Sequence, residues 1–76
     1  MSDCSVFEKK ASADWSRLVK GDVKVEVIGG YVYAFADELS VLRLFYQFRA
    51  APADLDVRAG FSENRNSWYF SKKHGF

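Results

Sequence analysis

Residues 4–20 place their apolar side chains with the spacing of a helix. The apolar positions recur at steps of three and four residues, which aligns them along one side of a helix. That stripe comprises Cys4, Phe7, Ala11, Trp15 and Leu18. Gly21 follows, and glycine tolerates the left-handed conformation that ends many helices. We predict a helix over residues 12–20 and expect residues 1–11 to fray or to run extended.

Residues 23–35 have the pattern of a β-hairpin. Apolar and charged residues alternate over 23–27, as in a half-buried strand, and 31–35 is rich in β-forming residues. Gly29-Gly30 supplies the positive φ angles of a two-residue turn, which pairs Ile28 with Tyr31. One face is then small and aliphatic, with Val23, Val25, Val27, Val32 and Ala34. The other face is mixed and aromatic, with Lys24, Glu26, Ile28, Tyr31, Tyr33 and Phe35.

A central helix is predicted over residues 37–50. Asp37 suits the cap of its first turn, and Glu38 adds negative charge at that positive end. Pro52 ends the helix, because the residue before a proline is pushed out of the helical region. Apolar side chains cover most of the circumference, and the polar stripe contains only Ser40, Arg43 and Gln47. Such a helix is buried on more than one side.

Residues 55–72 predict a second hairpin. Apolar and polar residues alternate over 55–62, a polar turn follows at 63–66, and 67–72 returns as a strand. A four-residue loop pairs Phe61 with Trp68. The expected core face is Val57, Ala59, Phe61, Trp68 and Phe70, and the expected outer residues are Arg58, Tyr69 and Ser71. Residues 72–76 form a basic tail that ends in an aromatic residue.

These elements assemble into one α+β domain over residues 1–76, in the order α-ββ-α-ββ. The simplest arrangement is a four-stranded antiparallel sheet made of the two hairpins, with the central helix across one face. The additional N-terminal helix then covers either the outer face of the first hairpin or the remaining flank of the central helix. The pattern leaves both arrangements open.

Composition adds constraints on stability and location. A chain of 76 residues with a single cysteine and a single histidine has neither an internal disulfide nor a structural zinc site to compensate for its small core. Aromatic residues, at 17%, supply large buried areas instead. No apolar run approaches the roughly 18 residues of a membrane span, and the first residues lack a secretory pattern. With the lone Cys4, these features lead us to expect a cytoplasmic protein.

The sequence contains no recognisable catalytic motif. Cys4 and His74 lack a third group to orient them, as nucleophilic catalysis requires. The carboxylate pairs at 37–38 and 54–56 fit helix capping and turns. Gly29-Gly30 stands between two strands and is therefore no phosphate loop. We expect no enzyme activity, no catalytic residue, no cofactor and no metal.

Binding to a larger protein is the function that the surface residues favour. Tyrosine and arginine are frequent interface anchors, and the aromatic face of residues 23–35 has few elements to cover it. The N-terminal helix, with Trp15 and Leu18, is the alternative cover. The residues predicted to contact a partner are Ile28, Tyr31, Tyr33, Phe35, Arg58, Arg65, Tyr69, Lys72 and Lys73.

Two other classes of function remain open. The basic C-terminal hairpin and its aromatic residues suit RNA or single-stranded DNA, although a net charge of +1 argues against a dominant electrostatic footprint. A subunit that mainly forms homodimers is the third class, because self-association is a common remedy for a small core.

In size, expected cytosolic character and compact helix-and-hairpin layout, the chain resembles the small inhibitors of phages and mobile elements, anti-CRISPR proteins among them. The resemblance spans the whole chain as a general layout and has no shared motif. It implies a blocker of a bacterial defence nucleoprotein complex that binds directly, without cofactor or turnover. It assigns no role to any particular residue.

Overall fold

A computed structural model describes residues 3–49 and 57–73 of the chain. Its elements, in chain order, are helix α1 (Asp3–Val19), strands β1 (Lys24–Ile28) and β2 (Tyr31–Ala36), helix α2 (Glu38–Arg49), and strands β3 (Arg58–Ser62) and β4 (Ser67–Lys73). The predicted α+β class and the order α-ββ-α-ββ are confirmed. The predicted helix end at residue 50, the strand start at 55 and the tail at 74–76 lie outside the described residues.

The two hairpins join through their second strands into one antiparallel sheet of order β1-β2-β4-β3. Ile28 lies opposite Tyr31, and Phe61 lies opposite Trp68, as the turn lengths predict. Between the hairpins, Ala34 of β2 lies opposite Phe70 of β4. The central strands are therefore β2 and β4, and the edge strands are β1 and β3.

Both helices pack on the same side of this sheet. The buried core draws on α1, α2 and the small aliphatic face of the first hairpin, and it comprises Ala11, Val19, Val23, Val25, Val32, Ala34, Val41, Leu44 and Phe70. The Trp15 ring lies 5.1 Å from the Phe48 ring and 5.8 Å from the Phe70 ring, measured between centroids. α1 thus covers a flank of α2, and the alternative in which Trp15 and Leu18 cover the aromatic face of the first hairpin is wrong. Leu18 is 48% exposed.

A ladder of hydrogen bonds fixes α1 along the free edge of β1. The backbone N–H groups of three alternate residues, 23, 25 and 27, point away from β2 toward α1. Each donates to a side chain of α1, and successive acceptors are one helical turn apart. The acceptors are Glu8 for Val27, Ser12 for Val25 and Ser16 for Val23, at 2.8, 2.9 and 3.0 Å. The match follows from geometry, because four helical residues rise about 6 Å and two strand residues about 6.6 Å. Covering an edge in this way satisfies its donors and blocks pairing with another chain.

This ladder explains why the helix is longer than predicted. α1 begins at Asp3, whereas the apolar pattern predicted a start at Ser12 and frayed or extended residues before it. Glu8 ties the first half of α1 to β1 at a position 19 residues away. The prediction missed this contact because it weighed only the apolar stripe.

The end of α1 also differs in detail from the prediction. Lys20 takes the left-handed conformation, with φ of 58°, in place of Gly21. Gly21 matters for a different reason: a Cβ atom there would lie 2.7 Å from the Ser40 hydroxyl oxygen of α2, so any other residue would force one of the two to shift. The start of α2 is as predicted, since the Asp37 carboxylate accepts from the Ser40 N–H at 2.8 Å.

The second hairpin has the predicted faces, but part of its core face is open. Phe70 is fully buried, whereas Ala59 is exposed and Phe61 is 46% exposed. β3 is the edge strand, so these two side chains lie at the margin of the sheet. Within residues 3–49 and 57–73, no helix has both the length and the apolar character that a membrane crossing needs.

Replacing Ser12 with alanine tests the ladder. The Val25 N–H would lose its acceptor, so we expect the free energy of unfolding in urea to fall by about 1–3 kcal/mol. Alanine has the higher helix propensity, so a weaker helix would not explain the loss. The matched control is Ser5→Ala, at an exposed position of the same helix, with an expected change within about 0.5 kcal/mol. Equal stabilities of the two variants would contradict the ladder.

Candidate binding site on the open sheet face

The side of the sheet opposite the helices forms a continuous surface, which we name the sheet face. Alternation along each strand and the register between strands place its residues in rows. One row runs Glu26, Tyr33, Ser71, Arg58, and the next runs Lys24, Phe35, Tyr69, Gly60. Ile28, Tyr31 and Lys73 form a third row. The sheet face therefore combines residues from all four strands.

Of the residues predicted to contact a partner, only Lys72 lies on the opposite side. It is paired with Val32, which is fully buried under the helices. Its ammonium nitrogen lies 5.6 Å from the Phe48 ring centroid, and burial lowers the pKa of Lys72. The prediction ended the return strand at Lys72 and counted Lys72 in the basic tail as well, but β4 continues to Lys73, and the strand alternation turns Lys72 inward.

The centre of the sheet face is an aromatic cluster of Tyr33, Phe35 and Tyr69. The Tyr33 ring lies 6.1 Å from the nearly parallel Phe35 ring and 6.0 Å from the Tyr69 ring. All three side chains are half-buried, so each leaves part of its ring open to solvent. Tyrosine and phenylalanine rings in such a cluster offer a large contact area at a small loss of conformational entropy.

Gly60 leaves room for the Tyr69 ring of this cluster. A Cβ atom at residue 60 would lie 3.1 Å from the Tyr69 hydroxyl oxygen and 3.2 Å from Cε2. The Tyr69 side chain therefore lies across the strand β3 where that strand has no side chain. Sequence reasoning missed Gly60, although an isolated glycine in a strand pattern is a known signal of close approach.

An ion pair crosses the sheet face from the second hairpin to the edge strand β1. The Arg65 guanidinium donates to both carboxylate oxygens of Glu26, at 2.6 and 2.8 Å. Its central carbon lies 4.3 Å from the Phe35 ring centroid, so the cation also covers that ring. The hydrogen bonds from Arg65 hold the pKa of Glu26 below its ordinary value, and the same bonds raise the pKa of Arg65. Arg65 was predicted to contact a partner, and in the structure it forms this ion pair within the sheet face.

Among the described residues of the rows above, together with Arg65, cations outnumber carboxylates. The cations are Lys24, Arg58, Arg65 and Lys73, and the carboxylate is that of Glu26. The Glu26 carboxylate is bonded to Arg65, and the Lys24 ammonium lies 3.9 Å from the same carboxylate. The surface is therefore suited to an anionic or acidic counterpart.

The described residues of the sheet face carry groups that are suited to binding. Rings, hydroxyls and cations are present, and no nucleophile stands beside a general base in the rows described above. Within the described part of the chain, no group of three or more His, Cys, Asp or Glu side chains is placed to hold a metal ion. His74, Asp54 and Asp56 lie outside the described residues.

Comparisons with known proteins return no relative. No protein-family model matches the chain, and no curated protein or solved structure is significantly similar to it. The function therefore has to be inferred from the physical chemistry of the sheet face itself.

Replacing Arg65 with glutamine tests the ion pair through its pH dependence. The variant should melt at a lower temperature than the wild type at pH 7, because the bonds to Glu26 and the cover on Phe35 are lost. The pKa of the Glu26 carboxylate is lower in the folded protein than its ordinary value of 4.5. The ion pair therefore stabilises the protein fully at pH values above 4.5, and this stabilisation is lost as the pH falls through the lowered pKa of the folded state. We therefore expect the two melting temperatures to converge as the pH is lowered below 4.5.

Lys9→Gln is the control for loss of one exposed cation. Its melting temperature should equal that of the wild type at every pH. Equal melting temperatures of Arg65→Gln and wild type at pH 7 would show that the ion pair contributes nothing. A difference that stays constant with pH would assign the effect to packing on Phe35 instead.

Proposed function

We propose that this chain is a non-catalytic binding protein that docks its sheet face onto a larger protein or ribonucleoprotein complex. The observation that supports this most is the cluster of Tyr33, Phe35 and Tyr69 on the side of the sheet away from both helices. Arg58 and Lys73 flank the cluster as exposed cations. Buried aromatic anchors with arginine beside them carry most of the energy of typical interfaces.

The size of the sheet face sets how the binding energy is distributed. Four strands about 4.8 Å apart, each about five to seven residues long, give a surface of roughly 15–20 Å on a side. A standard interface buries about 800 Å² on each partner, more than a flat surface of that size supplies. Affinity must therefore depend on a few anchors, which we propose are Tyr31, Tyr33 and Phe35, with the cations steering the approach.

The general resemblance to inhibitors of phages and mobile elements supports a more specific proposal. We propose that the target is a bacterial defence nucleoprotein complex in the cytoplasm and that the chain acts by blocking it. Such complexes expose acidic groups, and the positive balance of the sheet face is complementary to them. Homodimerisation is a separate proposed property that does not use the sheet face.

The double variant Tyr33→Ala/Phe35→Ala tests the proposed anchors. The tagged wild type should retain a partner from a bacterial lysate, identified by quantitative mass spectrometry, and the affinity should then be measured with that purified partner. Loss of two anchors is expected to weaken binding at least about 30-fold, since each hot-spot truncation costs about 2 kcal/mol or more.

The matched control is Leu39→Ala/Tyr46→Ala, which removes two exposed side chains from α2 on the other side of the molecule. It should bind the partner as tightly as the wild type. Urea unfolding of both variants checks the fold, and Tyr33→Ala alone replaces the double variant if that one does not fold. Full affinity in a folded Tyr33→Ala/Phe35→Ala variant would refute the anchor assignment.

A single-stranded nucleic acid is the second candidate ligand, because of the charge of the face. Single-strand recognition combines cations for phosphates with rings on which bases stack. The sequence located this capacity in the C-terminal hairpin and tail, with the basic residues Arg58, Arg65, Lys72, Lys73 and His74 and the aromatic residues Tyr69 and Phe76. Tyr33 and Lys24 of the first hairpin lie on the same surface as Tyr69 and would extend it.

Fluorescence anisotropy with labelled RNA and DNA oligonucleotides tests this candidate. Contacts to about three or four phosphates predict that the logarithm of the binding constant falls with that of the salt concentration with a slope of about −2 to −3 between roughly 50 and 200 mM salt. Arg58→Gln or Lys73→Gln should each reduce the slope by about 0.7, whereas Lys9→Gln on α1 should leave it unchanged. Absence of salt-dependent binding would remove this candidate.

A further inference from the structure

The outward side of α2 carries three exposed apolar side chains in line, which we name the α2 ridge. Leu39, Leu42 and Tyr46 are 57%, 38% and 65% exposed. Their spacing of three and four residues puts them on one side of the helix, opposite the fully buried Val41 and Leu44. α1 covers another flank of α2, through Trp15, and none of the described residues covers the ridge.

Charges of opposite sign stand at the two ends of this ridge. Glu38 in the first turn and Arg49 in the last turn of α2 lie on the same flank as Leu42. Eleven residues separate them, which is about 16 Å along a helix. The third charge, Arg43, lies on the other flank and is turned toward α1, where it donates to the Val19 carbonyl at 2.9 Å.

We propose that the α2 ridge pairs with the same ridge of a second copy of this chain, in antiparallel orientation about a two-fold axis. A two-fold axis perpendicular to both helices exchanges their ends and keeps each flank on its own side. Glu38 of each copy then faces Arg49 of the other, and Leu42 of each copy packs against Tyr46 of the other. Such a patch is self-complementary, as a two-fold dimer requires.

The charges also select the orientation. A parallel pair would place both Glu38 side chains at one end and both Arg49 side chains at the other, on opposite sides of the seam, so neither carboxylate would meet a guanidinium, and the two helix dipoles would be aligned unfavourably. The antiparallel pair reverses both effects. Arg43 does not oppose it strongly, because the bond to Val19 directs that guanidinium away from the ridge.

The ridge is too small for a tight dimer. A 12-residue helix is about 18 Å long, and three side chains along it bury far less than the roughly 800 Å² per partner of a standard interface. We therefore expect a concentration-dependent dimer with a Kd on the order of 0.1 mM.

Sedimentation equilibrium at about 150 mM salt, where long-range charge effects are screened, tests the proposal. The mass of the wild type should rise from 8.7 kDa toward twice that value as the concentration increases from about 10 µM to 1 mM. Glu38→Arg and Arg49→Glu should each remain monomeric, because each places like charges at both ends of the ridge. Leu39→Ala/Tyr46→Ala should also remain monomeric.

Mixing the two charge variants supplies the decisive measurement. In the mixed dimer, positions 38 and 49 are both positive in one copy and both negative in the other, so both end contacts are attractive again. We expect the equimolar mixture to dimerise at concentrations where each variant alone does not. Asp22→Arg and Lys9→Glu change the net charge from +1 to +3 and −1, like the two ridge variants, and should each dimerise like the wild type.

Three results would overturn the proposal. These are a wild type that stays at 8.7 kDa throughout, a mixture of the charge variants that forms no more dimer than they do separately, and a dimer that Tyr33→Ala/Phe35→Ala abolishes. The last result would move self-association to the sheet face. Binding of another partner to that face is tested separately, since Leu39→Ala/Tyr46→Ala should lose the dimer and keep that partner.

Discussion

The hydrogen-bond ladder between α1 and β1 determines how the rest of the domain is arranged. A helix placed along the edge of a sheet has to turn its apolar stripe toward one side of that sheet. Glu8, Ser12 and Ser16 fix α1 at the edge, and their geometry turns Trp15 toward Phe70. Both helices then share one side of the sheet, and the aromatic residues of the other side stay available for binding.

This arrangement also explains how so short a chain forms a buried hydrophobic core. One side of the sheet is buried by two helices, and small residues at Val25, Val32 and Ala34 let α1 and α2 approach closely. Large side chains fill what remains: Phe70 from the sheet, Leu44 from α2 and the half-buried Trp15 from α1. The domain therefore uses its aromatic residues twice, for packing on one side and for contact on the other.

Local patterns in the sequence were sufficient for the type and order of the elements, apart from the first half of α1, and for the register within each hairpin. Turn length determines which residues pair, so the pairs Ile28–Tyr31 and Phe61–Trp68 follow from the sequence. The sequence also grouped the aromatic residues of the first hairpin on one face, and the register between β2 and β4 adds Tyr69 beside Phe35.

What the sequence could not supply depends on contacts between distant residues. Glu26 and Arg65 are 39 positions apart, and nothing near either residue signals that they pair. The side of the sheet that α1 covers was also undecided, because its apolar stripe fits either arrangement until the polar residues beside it are matched to β1. Lys72 was misplaced for a simpler reason: it was counted with the basic tail, although alternation along β4 places it on the same side of the sheet as Phe70.

Gly60 illustrates how a binding surface can be shaped by a residue with no side chain. The Tyr69 ring occupies the space above it, and even a methyl group there would crowd the ring atoms. Replacement by alanine removes side-chain atoms at most positions of a protein, but at Gly60 it adds a methyl group. A large effect at Gly60 would therefore report obstruction rather than a lost contact. The conformation of the tyrosine on β4 is thus encoded partly on the neighbouring strand, at a position that an inventory of functional side chains would omit.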